Sequence, residues 1–188
     1  SQDPENYSAN QLHGIALCQK TKYEDALPYL EKAYTMNQKN YEVNNNLGLA
    51  YKGLRSFDKS KKYFSNAIEV DPENFRAYFN FANLLSNNEQ HDEAIKYFNL
   101  TYEKKPDFTD PLERLGDSYR AKYILDNKDK QWLLKAIPYL ERCLEINPSS
   151  YSANVNLGLF NLWLNNIDKS TRYFKDAFVN LQSSKKFH

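Results

Sequence analysis

Small and large apolar residues return along this chain at a long fixed spacing. Tyrosine stands at Tyr29, Tyr63, Tyr97, Tyr139 and Tyr173, at intervals of 34, 34, 42 and 34 residues. Leu30, Phe64, Phe98, Leu140 and Phe174 follow these tyrosines directly. Small residues flank that large column: Ala26, Ser60, Ala94, Ala136 and Ser170 before it, Ala33, Ala67, Thr101, Cys143 and Ala177 after it. A further small column, Gly14, Gly48, Ala82, Gly116 and Gly158, lies upstream, and Leu17, Tyr51 and Leu85 follow its first three members. Small residues seven apart with a large one between them share one face of a helix. The pattern therefore predicts two closely packed antiparallel helices per period. The Gly/Ala column admits the second helix, and the large residue fills the gap. Pro72, Pro106 and Pro148 close second helices, since proline has no N–H and disfavours helix in the residue before it. Pro28 and Pro138 fall inside second-helix pattern and are expected in the first turn, where proline is tolerated.

A period near 34 residues indicates stacked helix pairs, none of which buries its apolar face alone. The columns resemble the tetratricopeptide repeat (TPR) family over almost the whole chain. One array over 1–188 is expected, with repeats 7–40, 41–74, 75–108, 109–150 and 151–184. The clearest match runs through Asn46-Leu47-Gly48, Tyr51, Phe57, Phe64, Ala67 and Asp71-Pro72. His13 stands where leucine is usual, Gln38 replaces the closing proline, and Asn161 replaces a tyrosine or leucine. The resemblance implies an all-α solenoid of five helix-turn-helix units. It further implies a right-handed superhelix whose first helices line a concave, peptide-binding groove.

Carried onto this chain, the family's inward positions give the candidate site. The fifth position of each repeat reads Gln11, Asn45, Phe79, Glu113 and Val155. The sixth reads Leu12, Asn46, Asn80, Arg114 and Asn156, and the ninth Ile15, Leu49, Asn83, Asp117 and Leu159. The candidate groove residues are Asn45, Asn46, Leu49, Phe79, Asn80, Asn83, Glu113, Arg114, Asp117, Asn156 and Leu159. The asparagines of the sixth position are similar to the asparagine ladder of the O-linked N-acetylglucosamine transferases. An amide offers both a donor and an acceptor and can pair with a peptide backbone in both directions. The alternative is that these amides help neighbouring repeats pack. Asp110, Glu113 and Asp117 form a stripe that either receives a basic ligand side chain or stays solvated, with Asp110 pairing to Arg76. A chaperone-tail carboxylate clamp is not expected. Only Asn80 and Arg114 fit that register, while Asn45, Leu49 and Asp110 do not, and Asp110 would repel a carboxylate.

Repeat 4 carries eight extra residues between Tyr119 and Leu133. Arg120 to Leu125 still reads as helix, and Asp126 to Lys130 as a polar turn. This is either a tolerated surface loop or a finger that touches a partner. It lacks the glycine and closing glutamate of a calcium loop. Asp3-Pro4-Glu5-Asn6 copies Asp71-Pro72-Glu73-Asn74, and reads as the tail of a preceding repeat or as a cloning remnant. Phe174, Ala177 and Phe178 are expected to present an apolar strip, because no polar capping helix follows. The chain is thus expected to be a segment of a larger protein or to pair through its C-terminal face.

Composition removes several classes. Lys and Arg number 25 against 24 Asp and Glu, a net charge of +1. No global field favours nucleic acid, and no apolar run reaches the length of a membrane span. Cys18 and Cys143 lie in different repeats and form no disulfide framework, which leans towards the cytoplasm over the periplasm without fixing a compartment. His13, His91 and His188 are scattered, and no metal, nucleophile or phosphate-loop motif occurs. The expected function is a non-enzymatic scaffold or adaptor binding a protein or peptide partner, with no cofactor, metal or catalytic residue. The alternatives are the substrate-recognition region of a larger enzyme, such as a glycosyltransferase, and an architectural protein that self-assembles through its uncapped repeats.

Overall fold

A computed structural model describes residues 6–185. Asp3-Pro4-Glu5 and His188 lie outside the described residues. Within them are ten helices and no strand: α1 (Tyr7–Gln19), α2 (Tyr23–Met36), α3 (Tyr41–Gly53), α4 (Phe57–Val70), α5 (Phe75–Asn87), α6 (His91–Lys104), α7 (Asp110–Leu125), α8 (Gln131–Ile146), α9 (Tyr151–Trp163) and α10 (Ile167–Lys185). Two compact units divide after Gln90. In the first, α1 pairs with α2 and α3 with α4, and the first helices α1, α3 and α5 touch in series. In the second, α6 packs on α7, α7 pairs with α8 and α9 with α10, and α7 touches α9.

Local sequence sets the helix ends. Asn6, Asn40, Asn74 and Ser150 cap α1, α3, α5 and α9, accepting from the backbone N–H of Ala9, Val43, Arg76 and Ala153 at 3.0, 2.9, 3.3 and 3.0 Å. Each satisfies a donor the first turn leaves unpaired. Four of the turns use one left-handed residue each: Thr21, Arg55, Glu89 and Asn165 have φ of 57, 57, 61 and 65°, while the turn between α7 and α8 uses two, Asn127 and Lys128, at 48 and 62°. The N–H after each of these four reaches back to a helix carbonyl: Lys22 to Leu17, Ser56 to Tyr51, Gln90 to Leu85 and Asn166 to Asn161, at 2.8–3.0 Å. This is the Schellman closure of a helix C-terminus, here made without glycine.

The small and large columns meet as the pattern requires. A Cβ on Gly14, Gly48 or Gly116 would lie 2.6 Å from the side chain of Leu30, Phe64 or Leu140, and one on Gly158 2.7 Å from Phe174. The helices approach so closely that Ser60 and Ser170 hydroxyls donate to the Gly48 and Gly158 carbonyls, at 2.8 and 2.9 Å. The recurring tyrosine lies beside this contact. Tyr63 stacks on Tyr51 and meets Tyr34 of the preceding repeat edge-on, Tyr139 stacks on Tyr119, and Tyr29 packs on His13.

Two expectations need correction. Pro28 and Pro138 are not in a first turn: α2 begins at Tyr23 and α8 at Gln131. Both prolines are solvent-exposed, as are Glu24 and Leu134 four residues back. Water can solvate the carbonyls that lose a partner, so the helices continue through them. At the other end, Phe174 is half-buried against Gly158 and Ala177 is buried. The exposed strip on α10 consists instead of Phe178, Val179 and Leu181.

The extra residues of repeat 4 lengthen both of its helices. Helices α7 and α8 have 16 residues each, against 13 in α3 and 14 in α4. The turn between them is pinned. The Trp132 indole N–H donates to Asp126 at 2.9 Å and Asp129 accepts from the Gln131 N–H at 2.9 Å. Trp132 also stacks on Tyr119, with Lys122 and Lys135 over its ring.

Candidate functional site

The predicted groove residues fall into two sets, one per unit. In the first unit, Asn45, Asn46, Leu49, Phe79, Asn80 and Asn83 lie on α3 and α5, all half-buried. Asn80 donates its amide to Asn45 Oδ1 at 2.9 Å, joining the two helices. Asn46 and Asn83 donate to carbonyls of their own helices, Glu42 at 2.8 Å and Phe79 at 2.9 Å. Gln11 ties α1 to α3 through Glu42 at 2.8 Å.

In the second unit the polar groups engage one another. Asn156 is 2% exposed. Its amide nitrogen donates to Asp117 at 3.1 Å, and its oxygen accepts from Arg120 at 2.9 Å. Arg120 also meets Asp117 at 3.2 Å, and Arg114 approaches it at 3.6 Å. Glu113 accepts from the Ser150 hydroxyl at 2.6 Å and faces the Cys143 thiol at 3.8 Å. Asp117 is thus engaged by Arg114 and Arg120 of its own helix and by Asn156 of α9, and Glu113 by Ser150 and Cys143. Leu159 is half-buried on α9 and Asp110 is exposed at the start of α7.

One polar column escaped the reading of the sequence. Asn44 donates to the Gln38 carbonyl at 2.7 Å, Tyr78 to that of Pro72 at 3.1 Å and Asn154 to that of Pro148 at 3.5 Å. Each partner stands in the closing-proline column, six residues earlier. Asn44 and Asn154 are buried, so these bonds give the buried amide donors partners that water cannot supply. The signal was present, because Asn44, Tyr78 and Asn154 share one place in the repeat.

The first unit also holds a cleft of about 470 Å³. It is lined by Tyr23, Leu49, Lys52, Gly53, Arg55, Phe57, Leu84, Asn87 and Asn88. Leu49 is the one predicted site residue in it. Tyr23, Lys52 and Arg55 were not singled out from the sequence, and Phe57 only as a repeat position, because nothing in the period marks residues of the turn as ligand-facing. Neither cysteine is poised for chemistry: burial pushes both Cys18 and Cys143 up to about 11, leaving unreactive thiols at neutral pH. Among the described residues no cluster of three or more His, Cys, Asp or Glu is placed to hold a metal. No helix among them is long and apolar enough to cross a membrane.

Comparison with known proteins follows the same lines. Sequence profiles of the tetratricopeptide repeat match residues 63–96, 41–74 and 127–150. A comparison with curated protein sequences finds no match. Several solved structures share the fold. MamA from Desulfovibrio magneticus RS-1 superimposes with a TM-score of 0.82 at 16% identity, covering 94% of this chain and 96% of that one. A MamA structure designated MSR-1 C2 gives 0.76 at 20% identity, covering 95% and 98%. PilF of Pseudomonas aeruginosa gives 0.77 at 16%, covering 93% of this chain and 76% of that one. At such identities the likeness concerns the fold alone.

Proposed function

Because this chain belongs to the tetratricopeptide repeat family and is an all-α solenoid of helix pairs, we propose that it is a non-enzymatic interaction scaffold. It holds an extended peptide or a partner helix on the face of its first helices. The observation that carries this reading is the pairing of α3 and α5. The Asn45–Asn80 bond sets these helices side by side, with Asn46, Leu49, Phe79 and Asn83 half-buried beside it. Asn46 and Asn83 are already tied to their own helix, and half-buried side chains have less rotamer freedom left to lose on binding than fully exposed ones. Asn156 is left out of the binding face, since its amide serves Asp117 and Arg120.

Selection from a random dodecapeptide display library on the full chain tests the proposal. Enriched peptides are expected, and they should lose binding to an Asn46→Ala/Phe79→Ala/Asn83→Ala variant whose helical content is unchanged. Equal retention by that variant would sink the reading. A second reading rests on α10, where Phe178 and Val179 are 60 and 59% exposed. Adjacent apolar residues of that size favour contact with another protein surface, and self-association of this face is the simplest form. Light scattering should then show mass rising with concentration, abolished by Phe178→Glu; a constant monomer mass dismisses it.

A further inference from the structure

We infer that the first-helix face of the first unit takes an uncharged stretch of peptide, apolar in its side chains and held through its backbone by neutral hydrogen bonds. This rests on the scaffold reading and names the ligand chemistry of that same face. Helices α1, α3 and α5 have 13 residues each and carry three formal charges between them, Glu42, Lys52 and Arg76. Each of the three stands next to a helix end. The second helices of the unit, α2 and α4, carry nine. Burial does not account for the difference. Leu12 is 66% exposed on α1, and α7, the first helix of the fourth repeat, carries six charges.

The uncharged band coincides with the candidate groove positions. The fifth, sixth and ninth places of the first three repeats hold four asparagines, one glutamine and four apolar side chains, with no titratable group among them. The Gln11–Glu42 and Asn45–Asn80 bonds, at 2.8 and 2.9 Å, tie α1 to α3 and α3 to α5, so the band crosses three joined helices. A charged ligand group would give up water against this band and meet no opposite charge in return, which is unfavourable. An apolar side chain gains from the same contact.

The amides argue for a peptide rather than any apolar surface. Asn46 and Asn83 donate to the carbonyls of Glu42 and Phe79, at 2.8 and 2.9 Å. A carbonyl only accepts, so each amide must turn its nitrogen towards it. That fixes the orientation of both side chains and leaves each Oδ1 without a bond among the described residues. A peptide N–H is the neutral donor that fits such an oxygen, and the second N–H of each amide can answer a peptide carbonyl. Leu12, Ile15, Leu49 and Phe79 supply apolar contact beside them.

The same dodecapeptide selection, run on the full chain, tests the proposal. Enriched peptides are expected to share a central run without Asp, Glu, Lys or Arg and rich in Leu, Ile, Val or Phe. Affinity of a synthetic peptide of that sequence should fall by less than about twofold between about 0.05 and about 0.5 M NaCl, since screening acts only on charges. Placing one Lys or one Glu in the central run should each weaken binding about tenfold or more. Leu12→Glu puts a charge on the face at an exposed site that the fold does not need, and should weaken the neutral peptide as well. Enriched peptides charged throughout, binding that fades steeply with salt, or full affinity for the Lys and Glu peptides overturns the inference; where such binding is still lost in the Asn46→Ala/Phe79→Ala/Asn83→Ala variant, the scaffold reading stands. A neutral peptide that binds that variant and Leu12→Glu as well as the native chain sits elsewhere and overturns both, as does the absence of any enriched peptide.

Discussion

A single missing methyl group decides the closeness of each helix pair. At Gly48 a Cβ would fall 2.6 Å from the Phe64 ring, and Phe64 is fully buried and cannot swing aside. Gly48→Ala should therefore cost about 1–3 kcal/mol, as overpacked cores do, read as a lower urea midpoint at unchanged slope. A buried asparagine can matter as much as a buried phenylalanine. Asn154→Ala removes the donor to the Pro148 and Ser150 carbonyls and should cost about 1–3 kcal/mol; no change in the midpoint would refute its role. Thr21 holds a β-branched side chain at φ 57°, an unfavourable conformation. Thr21→Gly should raise the melting temperature slightly, since relief of about 1–2 kcal/mol of strain outweighs the extra freedom of the unfolded chain.

At the scale of the helix, the apolar columns could be read directly because their size alternation is itself the packing rule. What hid was whatever depends on backbone position rather than on side-chain size. The Asn44, Tyr78 and Asn154 column looks like surface polarity until loop carbonyls are placed beside it. The early starts of α2 and α8 were masked by Pro28 and Pro138, which usually mark helix beginnings. Asn80 and Asn156 stood out as ligand donors, yet each bonds a neighbouring first helix. The insertion was legible in place and in the end of α7 at Leu125, but the lengthening of α8 was not. Trp132 anchors that turn through Asp126 and Tyr119. Trp132→Ala should speed hydrogen exchange at residues 124–134 alone; uniform acceleration across the second unit would show a wider role.

For the molecule as a whole, stability should fall on the alkaline side. Burial lifts Cys18 and Cys143 from 9.0 to about 11, and Tyr41 and Tyr119 from 10.0 to about 12. These groups lose a proton to become anions, so the folded state keeps protons that the unfolded chain has already released. Where the folded state binds more protons, stability declines as pH rises. Melting temperature should be insensitive to these groups below pH 9 and drop from there towards pH 12. A flat profile would contradict their burial. Under native conditions at neutral pH both thiols should resist maleimide and become reactive on unfolding.

The left-handed turn explains why one repeat tolerates extra length. Its backbone bonds close onto the helix that precedes it, and in repeat 4 Lys128 still bonds the Tyr123 carbonyl at 2.9 Å. Beyond the longer helices the Gly116–Leu140 approach stays at 2.6 Å, as in the unexpanded first pair. Register is thus set by the crossing of the helices and not by the length of chain that joins them. Each such turn is a port at which a reporter peptide or a short binding loop can be spliced without resetting the crossing below it.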